Sequence, residues 1–465
     1  MPRTEPSLPM AQIEVDASES VGPLELWRHT LGHGGITALP LPPRVVSGVR
    51  TLLPRLIRIF IQEFFRIYSG NGHFDWSRLD PYMAALAATG AKVVASITIK
   101  PAALYPEVDQ AQWRPRDVGE WQHVIGQLVR RYSVERPIVT HWEVGNETDI
   151  GESGGCPYLI TEPEDYAEYY SMTIRPILEA CPQAQVGGPA IASIRNKPIA
   201  GFVDYCRRTG TRLDFISWHV YNSNPAAHVE CIRIGRSLID GYPGRRPEMM
   251  VTEWNRDLGG SVHVEDQAFE PKRAASTAAT VMDMLDAGLD WSFYYHIWDQ
   301  TCFHEDFASI FSPAGLAGMV RHWNEIPRRL GLFGVGGDVR PQYFVYAMLS
   351  RLGEERLAVE CPATDPQVGL RVLAGRSRGR VSVMAVNYNG EEGGARVAVL
   401  RFRGLRPGVK RLTVRRVDDD RRWCPETLEL LPLERRDVST TADFECQVLL
   451  PADTVAEVCL EELTR

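Results

Sequence analysis

Residues 24–298 repeat one unit: a short, almost wholly apolar run that ends on a polar residue, followed by a segment of helical periodicity. Residues 56–61 lead to Gln62-Glu63, residues 93–99 lead to Lys100, and Phe215-Ile216-Ser217-Trp218-His219-Val220-Tyr221 ends among polar residues. Apolar runs without alternation suit strands buried on both faces, as in a parallel sheet covered by helices. The intervening segments carry helix punctuation. Asp80-Pro81 supplies an N-cap and a first-position proline, with Gly90 as the stop. Val118, Trp121, Ile125, Leu128, Val129 and Tyr132 recur at helical spacing. Further helices are expected over 163–180, near 229–240 and over 274–287. With residues 24–27 as the opening strand, about eight runs over roughly 300 residues match the scale of a (β/α)8 barrel.

From about Gly331 the pattern changes. The run Gly334-Val335-Gly336-Gly337-Asp338 reads as a hinge, and a helix near 342–352 follows it. Short alternating runs at 381–387, 395–403, 411–417, 447–450 and 455–460 then predict an antiparallel sandwich. Residues 11–16 offer it one more strand. The expected class is therefore α/β, a TIM barrel with a C-terminal antiparallel β-sandwich. Its expected parts are an N-terminal strand within 1–20, a catalytic barrel over 21–330 and an accessory sandwich over 331–465.

A formal charge of −8 argues against nucleic acid and anionic membranes as partners, and no apolar run has transmembrane length. Nine cysteines without CxxC pairs, and an N-terminus from Met1 to Pro6 lacking an apolar core, point to reduced thiols and a cytoplasmic protein. The acidic balance is compatible with a homo-oligomer. The eleven histidines show no HxH or HExxH spacing, so neither a metal nor another cofactor is expected.

Two of the runs close on glutamate. Trp142-Glu143-Val144-Gly145-Asn146-Glu147 ends one, and Met250-Val251-Thr252-Glu253 ends the other. Barrel chemistry sits at the C-terminal strand ends. Two carboxylates brought there by different strands are what cleavage of a glycosidic bond requires: one protonates the leaving oxygen, the other attacks or activates water. His219 and Tyr221, two residues apart, share one face of their strand and point toward the same pocket. Glu63 is either a third acid of that pocket or the partner of Arg58 or Lys100. Asn146 opens a formal glycosylation sequon that a barrel-strand end would make inaccessible, and it reads instead as a donor to a substrate 2-hydroxyl. Lys100 or Arg256, pointing inward, would favour a uronate substrate.

This order of motifs resembles glycoside hydrolase family 39, the β-xylosidase and α-L-iduronidase group of the clan A barrels, over about residues 24–298. The Gly145-Asn146-Glu147 wording is similar to family 51 arabinofuranosidases. The resemblance implies that Glu147 is the acid/base and Glu253, within Thr252-Glu253-Trp254-Asn255, the nucleophile of a retaining mechanism. It implies a strand-one region at Trp27-Arg28-His29-Thr30-Leu31-Gly32-His33-Gly34-Gly35, which brings in His33. It also implies sugar contacts from His219 and Tyr221, and an aromatic platform at Trp298. The implied substrate is a glycoside or oligosaccharide, xyloside-like and cleaved from one end. An arabinofuranosidase, a uronidase, a transglycosylase and a non-catalytic carbohydrate-binding barrel stay open as alternatives.

Overall fold

The computed structural model describes residues 8–258, 269–325, 329–361, 369–389, 394–420 and 422–463, so the stretch from Met1 to Pro6 lies outside the described residues. The first strand, β1 (Met10–Pro23), is followed by β2 (His29–Gly32), β3 (Leu56–Gln62), β4 (Lys92–Thr98), β5 (Val139–Val144), β6 (Gln185–Ile191), β7 (Phe215–Tyr221), β8 (Glu248–Asn255) and β9 (Trp291–Tyr295). Strands β2 to β9 pair in chain order and close into a barrel of eight parallel strands. Burial explains the unbroken apolar runs: every residue of β3, and all of β4 except Lys92, is buried. Each strand is covered inside by side chains and outside by helices, which leaves polar residues a place only at the ends.

The opening strand lies later than the sequence suggests. Residues 24–27 do not form it; Leu26–Arg28 is a 3-10 turn and His29–Gly32 is the first barrel strand. The reason is local, because Arg28 Nε donates to Glu25 Oε2 at 2.9 Å across three residues, a spacing that fits a helical turn and not a strand. Asp80 is likewise no cap. The helix Leu79–Ala87 begins one residue earlier, and the Asp80 carboxylate accepts from Arg131 Nε and Tyr132 Oη, both at 2.8 Å. The glycine run at 334–338 is a packed turn rather than a hinge. Gly337 N donates to Gly334 O and Gly334 N to Asp338 O, each at 2.8 Å, and Phe333 bridges both Trp298 and Val339.

The remaining strands are β10 (Glu355–Glu360), β11 (Leu370–Ser377), β12 (Arg380–Asn387), β13 (Arg396–Arg403), β14 (Gly408–Val417), β15 (Trp423–Cys424), β16 (Glu429–Leu430), β17 (Glu434–Thr440), β18 (Phe444–Leu450) and β19 (Thr454–Glu462). Nine strands form one sheet in the order β17-β14-β19-β12-β11-β10-β1-β13-β18. It folds over on itself, so that Val414 and Val438 near one edge share a core with Leu400 and Leu450 near the other. Strand β1 is inserted between β10, antiparallel, and β13, parallel. The chain's N-terminus is thus built into the C-terminal sheet. That sheet is fixed to the barrel through the helix Pro271–Asp286, where Arg371 Nε donates to Asp283 Oδ1 at 2.7 Å. Among the described residues, no helix is long and apolar enough to cross a membrane.

Ile13 of β1 is fully buried in the core of that sheet. Ile13→Ala should lower the unfolding free energy by about 2–5 kcal/mol, measured by urea denaturation. An unchanged midpoint would mean that β1 adds nothing to the sheet's stability.

Candidate active site

The two glutamates reach one cavity because β6 and β8, the strands on either side of β7, each carry an extra residue. Between β7 and β8 the register runs Trp218 with Val251, then His219 with Glu253, so Thr252 is left over as a bulge. Between β6 and β7, Pro189 pairs with Ser217 and Ile191 with Trp218, which leaves over Ala190. A bulge bends its strand and re-aims the side chains beyond it. The first sets Glu253 directly beside His219. The second turns the Ala190 carbonyl toward Glu147, whose backbone N–H donates to it at 2.8 Å. Glu147 is held at φ +46°, a left-handed conformation that glutamate rarely adopts. Its carbonyl accepts from Ile150 N and Gly151 N at 3.1 and 2.9 Å, which locks the turn.

At the base of the site lies Arg58, fully buried in the middle of β3. Its Nε donates to Glu143 Oε2 at 2.8 Å, its Nη1 to Glu253 Oε1 at 2.7 Å and its Nη2 to Asn146 Oδ1 at 2.7 Å. One guanidinium therefore ties the middle of β3 to the C-terminal ends of β5 and β8. The other Glu253 oxygen, Oε2, accepts from Tyr221 Oη at 2.6 Å. His219 Nδ1 stands 2.8 Å from Glu147 Oε1 and 3.7 Å from Glu253 Oε2. One carboxylate oxygen of Glu147 and one of Glu253 lie within 4.8 Å of each other.

This network drives the two acids in opposite directions. Burial raises the Glu147 pKa and the charge of Glu253 adds to it, with the His219 hydrogen bond working against both. Burial acts to raise Glu253 as well, but the charges of His219 and Arg58 and the hydrogen bonds from Tyr221 and Arg58 outweigh it and hold the carboxyl below its ordinary range. His219 is raised despite its burial, because carboxylates face it from two sides. The arrangement favours protonation of Glu147 and His219 and ionisation of Glu253. Glu147, His219 and Glu253 also form a group with metal-ligating atom types. Yet the imidazole nitrogen that faces both carboxylates is already within hydrogen-bond reach of Glu147, and a guanidinium is paired with Glu253. That donor set suits proton transfer better than a cation.

The acids line a cavity of about 1010 Å³ together with Asn146, His219 and Tyr221. The other three sequence-based site residues do not line it. His33 is fully buried, stacks on His296 at 5.8 Å between centroids, and is kept neutral mainly by burial. Trp298 is packed under the 334–338 turn, its Nε1 donating to Val335 O at 3.3 Å. It follows β9 by three residues and has already left the mouth of the barrel; Trp323 lines the cavity instead. Glu63 accepts from the backbone N–H of Lys100 at 3.0 Å, and burial pushes its pKa up to about 8. Lys100 also turns away, with Nζ donating to the carbonyls of Asp109 and Pro157 at 2.6 and 2.9 Å.

Sequence reasoning missed Arg58 as part of the site. Its signal was a lone guanidinium inside a run otherwise fit for a doubly buried strand, a place that demands acidic partners. Arg58→Met leaves Glu143 and Glu253 buried without their cation. It should cost about 3–5 kcal/mol of stability in urea denaturation. A loss under about 1 kcal/mol would mean that the network is not what holds these strand ends.

Residues 49–427 match the model for glycosyl hydrolases family 39. The chain is 23% identical over 265 residues to a β-xylosidase of Geobacillus stearothermophilus, a stretch that is 52% of this chain and 48% of that relative. It is 24% identical over 294 residues to a β-xylosidase of Caldicellulosiruptor saccharolyticus, covering 59% and 54%. The chain thus spans about half the length of these curated relatives. Among solved structures, a monomeric β-xylosidase from Caulobacter crescentus CB15 superposes with a TM-score of 0.75 at 19% identity, over 97% of this chain and all of that one. The family match covers most of the sequence, including both glutamates, and the chain belongs to glycosyl hydrolases family 39.

Proposed function

We propose that this chain is a retaining glycoside hydrolase that removes a neutral, xyloside-like sugar from the end of a glycoside. The observation that carries the proposal is the pair of glutamate oxygens within 4.8 Å, with their pKa values driven apart. Retention needs carboxyl groups about 5–5.5 Å apart, whereas inversion needs more than about 6.5 Å to admit a water. In the first step Glu253 attacks the anomeric carbon while the Glu147 proton passes to the departing oxygen. In the second, Glu147 takes a proton from water, and that water cleaves the glycosyl ester on Glu253. Asn146, fixed by Arg58, presents its amide N–H2 toward a substrate hydroxyl.

A neutral sugar is favoured over a uronate by the cations. Among the described lining residues the only Arg or Lys is Arg195, paired at the rim with Glu230 at 2.9 Å. The β-xylosidase relatives support the same sugar. We assign the chemistry to the barrel, residues 21–330, and an accessory role to residues 1–20 with 331–465. Nine free thiols suit a reducing cytoplasm, and a charge of −8 speaks against a nucleic-acid partner.

The test is a nitrophenyl glycoside panel in both anomers, run with wild type, Glu253→Ala and Glu147→Ala. Turnover of the β-xyloside should fall at least about 10²-fold in Glu253→Ala. In kcat/KM, which reports the first step, Glu147→Ala should lose as much on poor leaving groups and far less on dinitrophenyl glycosides, which need little protonation. Preference for a uronide, or equal damage on both leaving groups, would overturn the corresponding assignment. The pH profile has a predicted sign. Activity should be lost on the acid side as Glu253 protonates, below the usual glutamate range, and on the alkaline side as Glu147 ionises, above it. In Glu147→Gln, assayed with the dinitrophenyl glycoside, the alkaline limb should disappear.

A further inference from the structure

Glu147 is held from two directions, and only His219 is part of the reacting group. The other is the backbone of Gly154, which lines the same cavity. A Cβ placed on Gly154 would lie 2.7 Å from Glu147 Cβ and closer still to Glu147 Oε2. Gly154 is not among the residues with positive φ, so the position needs glycine for space and not for backbone freedom. Two residues before it, Glu152 reaches across to the helix Pro313–Val320, whose residues Ala314, Gly315, Gly318 and Met319 form part of the cavity wall. Glu152 Oε1 accepts from Ser312 N at 2.8 Å, and Oε2 accepts from Ser312 Oγ. A carboxylate at a helix N-terminus is favoured by the unpaired N–H groups there. Gly315 lets it approach, since a Cβ on Gly315 would lie 2.8 Å from Glu152 Cδ. The near end is also tied down, because Glu152 N donates to Gln110 Oε1 at 2.9 Å.

We propose that the Glu152–Ser312 clasp and Gly154 are positioning elements for the acid/base: the clasp docks the 151–155 loop on the cavity-wall helix, and Gly154 seats the Glu147 carboxyl against His219. This inference rests on the acid/base role proposed for Glu147. It assigns no chemistry to Glu152 itself. Gly154 packs on the proton donor and the clasp holds Gly154's loop, whereas Arg58, Tyr221 and Glu253 are bonded to one another and not to this loop, so loss of either element should impair protonation of the leaving group and spare nucleophilic attack.

Gly154→Ala, Glu152→Ala and Glu147→Ala are to be compared with wild type on phenyl and 2,4-dinitrophenyl β-xylosides, with thermal unfolding as the check on folding. Glu152→Ala leaves the Ser312 cap in place, because Gly315 N still donates to Ser312 Oγ at 3.2 Å. It therefore serves as the second variant if Gly154→Ala folds poorly. Gly154→Ala should lose on the order of tenfold in kcat/KM on the phenyl xyloside and little on the dinitrophenyl one, part of the usual weight of acid catalysis. Its alkaline pH limb should shift, and Glu152→Ala should follow in the same direction with a smaller loss. Equal losses on both substrates, or none on either, would overturn the positioning role while Glu147→Ala keeps its leaving-group dependence. If Glu147→Ala lacks that dependence, the acid/base reading fails, and this proposal fails with it.

Discussion

The site depends on a single buried guanidinium. Arg58 is surrounded by the barrel and hydrogen-bonded at once to Glu143, Asn146 and Glu253. A charge in that position is tolerable only with partners. Its partners come from strands that are remote in sequence, so the pairing fixes the barrel's inner geometry as well as its electrostatics. Removing one member would strand the others, which makes the cluster costly to break even if its net contribution to folding is small.

The division of labour between the two glutamates follows from this. Glu253 receives Arg58 on one oxygen and Tyr221 on the other, so it can stay ionised in a buried place. Glu147 has no guanidinium; it has His219, which also faces Glu253. Two carboxylates at short range disfavour double ionisation, and the one without the arginine is the one that keeps a proton. The Thr252 and Ala190 bulges supply the other half of the design, turning a regular strand register into one that brings two acids and an imidazole to a common point. Backbone irregularity and buried charge act together here: the bulges aim the groups and Arg58 holds them.

Much of this was legible in the sequence. Doubly buried strands have to be apolar, so Glu147 and Glu253 stand out at the ends of two runs, as do His219 and Tyr221 on one strand face; the structure brings these four, with Asn146, to one cavity. Glu63 also ends such a run, and His33 and Trp298 enter through the family resemblance, but all three pack away from the cavity, because the direction of a side chain past a strand end depends on loop conformation. The bulges were invisible, since one extra residue does not disturb a run that is apolar throughout. Glu152 carries no signal in the sequence because its meaning depends on a helix some 160 residues later, and Gly154 none because its meaning depends on how the loop folds back onto Glu147. In the C-terminal sheet, β10, β11 and β17 have no counterpart among the expected runs; in β10 and β17 charged residues occupy so many positions that the alternation is hidden.

Retaining hydrolysis on this site requires that Glu253, held ionised by Arg58, form a covalent bond to the sugar. The most direct measurement is to inactivate the protein with 2,4-dinitrophenyl 2-deoxy-2-fluoro-β-xyloside, digest it and locate the added mass by peptide sequencing in the mass spectrometer. One fluorosugar per chain is expected, esterified to Glu253. A label on Glu147, or wild-type turnover of the aryl xyloside that releases a sugar of inverted configuration, would contradict it.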